Sequence, residues 1–399
     1  MPNSQFPIPK IMFQQLRRRT PLGWLQLSHE KSRLLVALSG IAFADLLMFM
    51  QLGFQAALYD SNTQLHRNLQ ADIILIGSQT RNLQRISTFS RRRLYQAMDV
   101  SGVRVAEAMY VSNMVWKNPQ TRRDTEILVI GINPDKPAVD FPEVKQKLSE
   151  IKLPDTVLFD RAARGDYQAT IAQLEQGQTV KTELERRTIT ITGLFKLGAS
   201  FGADGTLITS DQNFLRFFPR QQVSSVSLGL IQLQPGANIQ QVQAGLQKRL
   251  SQDVKVLTHR EFIEFENNFW RNNSPIGFIF SIGVSMGFVV GVIIVYQVLS
   301  TDVHTHLKEY ATFKAIGYRH YYLLGVIFEE AVILALLGFI PGVAVSLGLY
   351  QLTRSATNLP IYMTLIRALQ VLILTIIMCA ISGAIATRKL QAADPADMF

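Results

Sequence analysis

Few side chains in this sequence are placed to do chemistry, and most of those sit in apolar company. Asp45 is the one charged residue in the apolar run 34–59. An acid in hydrocarbon is costly to leave unpaired, so an intramembrane carboxyl is a functional candidate by default. It would act as a proton relay, or as a structural contact to a polar groove or a partner chain. A relay needs a second intramembrane charge, and the other apolar runs supply none. Glu329 and Glu330 open the third run, at the expected headgroup boundary, with a contact to the preceding helix as the alternative. His304 and His306 lie two apart, which keeps them off one helix face, and with His320 they read as surface residues. The single cysteine, Cys379, lies in the last run, so no intramolecular disulfide is possible. Gly198, Gly202 and Gly205 fall in "KLGASFGADG". No phosphate-binding βαβ pattern surrounds them, and they read as a mobile loop. There is no G-x-x-x-x-G-K-[ST] loop, no H-E-x-x-H and no G-x-S-x-G. No catalytic residue, metal ligand or bound cofactor is assigned.

The elements that would position these groups are mostly membrane helices. A span needs ~20 apolar residues, at ~1.5 Å of rise each across ~30 Å of hydrocarbon. Runs 274–301, 331–353 and 368–387 contain no charge, and run 34–59 contains Asp45 alone. With no water to satisfy the backbone in lipid, such runs must be helices. Ala42-Phe43-Ala44 has the form of a signal-peptidase site, but cleavage there would cut a span, and an uncleaved anchor fits better. Lys10, Arg17, Arg18, Arg19, Lys31 and Arg33 precede the first run against one acid, Glu30, so half of the net charge of +10 serves orientation rather than nucleic-acid binding. Arg388 and Lys389 follow the last run. Both termini are therefore expected inside, and the large segment between the first two spans outside.

The expected organisation is an N-terminal segment 1–33, in which Trp24 and Leu25 suit an interfacial helix, then span 34–59 and an exported α+β domain over 60–271. Span 274–301, an inner region 302–328, span 329–353, a short outer loop 354–366, span 367–387 and an inner tail 388–399 follow. In the exported domain 71–77, 125–132, 188–195 and 224–233 have strand patterns, and 238–250 is helical with Ile239, Val242, Leu246 and Leu250 on one face. Segments 54–70 and 259–270 stay helix-compatible, so the first two spans are expected to continue as stalks. Gly283, Gly287 and Gly291 form a small-residue stripe for close helix packing, within the chain or in a dimer. Gly338, Pro341 and Gly342 predict a kink in the third span, either a hinge or static shape.

Between spans two and three lies "KEYATFKAIGY" (308–318). Lys308, Glu309, Tyr310, Phe313, Lys314 and Ile316 suit a short helix ending at Gly317. It reads either as a connecting turn or as a helix seated in a soluble partner. Followed by "FEEAVILALLGFIPG", it resembles the coupling segment of FtsX/MacB-type (type VII) ABC transporter permeases. The stretch "PLGWLQLSHEKSRLLVALSGIAFADLLMFMQLGFQAALYD" resembles their first helix and span. Within that family the tail "RKLQAADPADMF" and the N-terminal stretch are most similar to the DevC group of cyanobacterial DevBCA exporters. The resemblance implies a permease homodimer in the plasma (inner) membrane, with cytoplasmic termini and a periplasmic domain between the first two spans. It implies a separate DevA-like ATPase subunit that binds the ATP and receives the coupling helix. It further implies a DevB-like periplasmic adaptor, a TolC-like outer-membrane channel and glycolipid or other amphiphilic cargo. The FtsX-like alternative is regulation of a periplasmic hydrolase.

Overall fold

A computed structural model describes residues 31–185, 187–305 and 320–392. The interfacial segment with Trp24 and Leu25, the coupling residues Lys308, Glu309, Tyr310, Phe313, Lys314, Ile316 and Gly317, His306, and the end of the tail lie outside the described residues. The chain divides into a membrane unit, drawn from the described parts of 31–54, 279–351 and 362–392, and an α/β unit of Gln55–Phe278 with Leu352–Ile361.

Helix α1 (Lys31–Arg67) runs unbroken through the first apolar segment. Strand β1 (Ile73–Gly77) follows. Its "IILI" is apolar at every position because both faces are covered: Ile73 and Leu75 enter one core, Ile74 and Ile76 another. After the short β2 (Phe89–Ser90) and α2 (Arg92–Met98) comes β3 (Val103–Lys117), the longest strand. Its first half pairs with β10 (Leu228–Leu233) and its second half with β4 (Asp124–Ile132). The strand thereby belongs to both halves of the sheet, and no segment of it was predicted from sequence: Ala106, Glu107 and Asn113 break its alternation.

The rest of the unit is built on this strand. Helix α3 (Pro142–Gln146), β5 (Thr156–Asp160), α4 (Gln168–Glu175), β6 (Val180–Leu184), β7 (Arg187–Phe195), β8 (Thr206–Ser210) and α5 (Asp211–Phe217) follow in order. Strand β9 (Ser225–Val226) pairs with β2. Nine strands form one sheet in the order β11-β1-β10-β3-β4-β8-β5-β7-β6, where β11 is Val254–Thr258. A further pairing of β6 with β3 at Trp116 and Leu184 closes six of them into a ring. Inside it Trp116 stacks on Phe159 at 5.1 Å, and Tyr167 packs against Phe159 at 4.9 Å. Helix α6 (Ile239–Arg249) is capped by Asn238 and buries Val242 and Leu246, with Leu250 buried just past its end; Ile239, expected on the same face, is exposed at the first turn. Helix α7 (His259–Asn268) opens with a full capping box between Thr258 and Glu261. The Thr258 backbone N–H, bonded to the Glu261 carboxylate, holds that group below the ordinary glutamate range.

The second stalk is interrupted. Helix α7 passes into a π turn, Phe269–Asn273, and then breaks at Ser274, whose backbone is extended. Pro275 explains the break, because the residue before a proline is pushed out of the helical region. Helices α8 (Pro275–Thr305), α9 (His320–Thr357) and α10 (Leu365–Ala392) complete the membrane unit. Among the described residues, four helices are thus long and apolar enough to cross a membrane, with a mixed α/β domain between the first two. Compared with the spans read from sequence, α9 extends past 353 to Thr357 and α10 starts at Leu365.

The glycine-rich loop is not free, contrary to expectation. The buried Asp160 carboxyl accepts N–H bonds from Ala162 at 3.0 Å, Leu197 at 3.0 Å and Gly198 at 2.7 Å. Ser200 Oγ accepts two more, from Gly202 and Ala203, both at 3.1 Å. Burial pushes the Asp160 carboxyl above the ordinary range, against the pull of its three N–H donors and Lys196. Asp160→Ala leaves three buried donors unmet and is expected to cost about 2–4 kcal/mol. Hydrogen exchange in the peptide covering 197–204 should rise with it; unchanged exchange there would mean that Asp160 does not hold the loop.

Candidate functional site

The membrane unit is organised around α1. The glycines at 283 and 287 of α8 face it, and Gly291 lies between it and α10: a methyl on Gly287 would stand 3.2 Å from Leu47 Cβ, and one on Gly291 would stand 2.9 Å from Ala44 Cβ and overlap the Met378 sulfur. A methyl on Gly283 would overlap the end of the flexible Gln51 side chain. The stripe therefore packs within this chain. On the other side, the glycines flanking Pro341 do the same. Methyls on Gly338 and Gly342 would stand 2.6 Å from Ile41 Cγ2 and 2.9 Å from Asp45 Cβ. The residues read as a hinge thus line a second groove for α1, and Pro341 lies inside an α9 that continues through it.

Asp45 sits fully buried at this contact. Its Oδ1 meets the hydroxyl of Thr375 on α10, which also lies 2.8 Å from the Val371 carbonyl. Its Oδ2 has no hydrogen-bond partner among the described residues. The structure thus brings Asp45 together with the Gly338–Gly342 groove. One turn further along, the Tyr350 hydroxyl bonds the Phe49 carbonyl, and the guanidinium of Arg367 lies 5.8 Å from the Tyr350 ring.

Glu330 is 1% exposed and lies within electrostatic reach of Asp302 and Arg33, neighbours that the sequence reading did not name. Arg33 Nη1 is 3.5 Å from Asp302 Oδ1, and Nη2 is 3.4 Å from Thr305 Oγ1. Three helices, α1, α8 and α9, thus contribute to one charged cluster at the same end of the membrane unit, with Asp302 and Glu330 buried and Arg33 partly exposed. The apolar runs hid it because Arg33, Asp302 and Glu330 all fall just outside their ends.

Another buried acid, Glu266, lies between α7, the Leu83 turn and the end of α1 inside the α/β unit. Its Oε1 accepts the Trp270 indole N–H at 2.8 Å, and its Oε2 accepts the Leu83 N–H at 2.9 Å. His66, on the last turn of α1, lies with Nε2 3.6 Å from Oε2 and its ring 4.3 Å from Phe262. His259 Nε2 sits 2.7 Å from the His66 carbonyl oxygen. The signal was present in "FIEFENNFW": Phe262, Glu266 and Trp270 share one face at i, i+4 and i+8, and an acid inside an aromatic stripe is a buried acid.

An α/β domain inserted between the first and second of four apolar helices defines a multi-pass membrane protein whose working parts are helix contacts. Comparison with known proteins narrows this. Residues 280–395 match the family model FtsX-like permease C-terminal. No curated protein matches the chain. Among solved structures, it is similar to the periplasmic region of MacB from Actinobacillus actinomycetemcomitans. That match has 11% identity and a TM-score of 0.34, over 51% of this chain and 95% of that one. It is also similar to the extracellular domain of the noncanonical ABC-type transporter YknZ from Gram-positive bacteria. There the identity is 13% and the TM-score 0.31, over 43% of this chain and 90% of that one.

The two grooves differ in what they tolerate. At Gly338 the neighbour is the β-branched Ile41, which has little rotamer freedom. Gly338→Val is expected to cost about 1–3 kcal/mol through overpacking. Gly283→Ala meets a side-chain end that can swing away and should stay within about 0.5 kcal/mol of the parent. Thermal unfolding of the full chain in detergent separates the two; equal effects would contradict the groove assignment.

Proposed function

We propose that this chain is the membrane subunit of an ABC exporter, transmitting ATP-driven motion of a separate ATPase to its α/β domain. The observation that carries this reading is the FtsX-like permease match over α8, α9 and α10, in a chain whose α/β domain is inserted between its first two membrane helices. The sequence itself holds no Walker loop, so ATP hydrolysis falls to a partner. In this reading the chain lies in the plasma membrane with both termini in the cytoplasm and the α/β domain in the periplasm, in keeping with its basic flanks. The segment with Lys308, Glu309, Tyr310, Phe313, Lys314, Ile316 and Gly317 seats in the ATPase. The resemblance to the DevC group extends the proposal to a homodimer working with a DevA-like ATPase, a DevB-like adaptor and a TolC-like channel on glycolipid or other amphiphilic cargo.

The mechanics follow from packing. With α1 seated in two glycine grooves, a displacement of α8 or α9 moves α1 with it, because close-packed helices have no slack to absorb it. Replacing both Phe313 and Ile316 with Asp is expected to leave a folded protein that no longer binds or stimulates its ATPase, at least about a tenfold loss of affinity. Co-purification followed by an ATPase assay reads both. Undiminished stimulation would remove the coupling assignment, and recovery of a wall hydrolase in place of an adaptor and channel would favour the regulator alternative.

A further inference from the structure

The segment Leu352–Ile361, which joins α9 to α10, packs in the same compact unit as Gln55–Phe278. Helix α9 ends there at Thr357, and Asn358 turns the chain with φ 54°, the left-handed cap that asparagine tolerates. The Asn358 N–H returns to the Arg354 carbonyl at 2.9 Å. The remaining carbonyls of the last turn need donors from elsewhere. One comes from Arg164, on the turn after β5: its Nε–H reaches the Thr357 carbonyl at 3.1 Å. In the opposite direction the Asn358 amide donates to the Ala163 carbonyl at 3.0 Å. Leu359 and Ile361 are buried beside this exchange.

The other arms of Arg164 are also occupied. Nη1 reaches Asp204 at 3.2 Å, Nη2 reaches the Ser200 carbonyl at 3.0 Å, and the backbone N–H bonds the Asp204 carbonyl at 2.6 Å. A guanidinium presents donors in a rigid plane, so fixing two arms on the 200–204 loop aims the third at the helix end. Its charge also complements the negative end of the helix dipole. The turn that carries it is ordered by Asp160, whose carboxyl receives Ala162 N–H on one side and the loop residues Leu197 and Gly198 on the other. A continuous path of hydrogen bonds thus runs from the last turn of α9 through Arg164 to the glycine-rich loop and β5.

We propose that Arg164 is a positioning residue that grips the end of α9, so that movement of α9 reaches the α/β domain through the Thr357–Arg164 link as well as through the chain connections at α1 and α8. The coupling role rests on the exporter reading; the grip itself does not. Two measurements keep them apart, both on the full chain in detergent or nanodiscs. The first is hydrogen exchange of the peptide covering 352–361 without nucleotide or partner. Arg164→Ala should speed it at least about tenfold. Asn358→Gly, which keeps the left-handed turn and removes only the amide, should act in the same direction. Arg164→Lys keeps the charge without the planar fork and should not restore protection. Unchanged exchange in both Arg164→Ala and Asn358→Gly, or full protection by lysine, overturns the grip.

The second measurement is the exchange of the 196–205 loop in the complex with the partner ATPase, with and without ATP and vanadate. The parent should show a nucleotide-dependent change, and Arg164→Ala should lose most of it while ATP hydrolysis stays within about twofold. If the loop of the variant still responds fully, Arg164 is structural and the coupling role is overturned. If the parent complex shows no response at all, the exporter reading fails and the coupling role with it, while the first measurement still judges the grip.

Discussion

The membrane unit depends on how closely α1 approaches its neighbours. In lipid, helices gain nothing from burying apolar surface against each other, since the surrounding tails are equally apolar. Association must come from contact and from the few polar bonds that lipid cannot replace. Two rows of small residues, one on α8 and one on α9, let α1 settle against both. The same approach makes the polar contacts possible, bringing Asp45 to Thr375 and the Tyr350 hydroxyl to the Phe49 carbonyl. A helix held this closely on two sides is tied to both neighbours.

In the α/β unit the corresponding role falls to buried acids. Glu266 ties the Leu83 turn to the end of α7, and Asp160 holds the glycine-rich loop beside the turn after β5. Both carboxyls spend their oxygens on N–H donors of other elements rather than on basic side chains. Such bonds fix direction as well as distance, because a backbone N–H, or the N–H of a rigid buried indole, cannot follow its acceptor the way a lysine can. The domain is cross-braced at the points where helices enter it.

Much of the architecture was legible in the chain. Long apolar runs marked the membrane helices; "ADIILIG" marked a strand covered on both faces by its continuous apolar run, and "TITITGLF" marked one by its alternation, with Ile189 and Ile191 buried and Thr188 exposed. β3 escaped because it serves two half-sheets and carries Glu107 and Asn113 at partly covered positions. The glycine spacing on α8 was visible, but its partner was not, since spacing describes one surface and not the surface it meets. The position of Glu330 near the end of a run was readable in the chain, but its neighbours were not, since Asp302 and Arg33 stand on other helices. The loop at 196–205 looked mobile because glycines advertise freedom, and the distant Asp160 that removes it leaves no local trace.

The closure of the six-stranded ring has a mechanical meaning. Most neighbouring strands in it share several residue pairs, but β3 and β6 meet at one, Trp116 with Leu184. Side chains stitch this seam: the Thr182 hydroxyl bonds the Lys117 carbonyl, and Glu183 takes Lys117 at 2.7 Å and Arg122 at 3.0 Å. The bond from Lys117, then its charge and that of Arg122, hold the Glu183 carboxyl below the usual range. A depressed acid contributes above its unfolded pKa and is lost as pH falls through its folded one. Strong acid and tension would therefore act at the same zipper, and a barrel pulled by its helices opens first where its stitches are ionic.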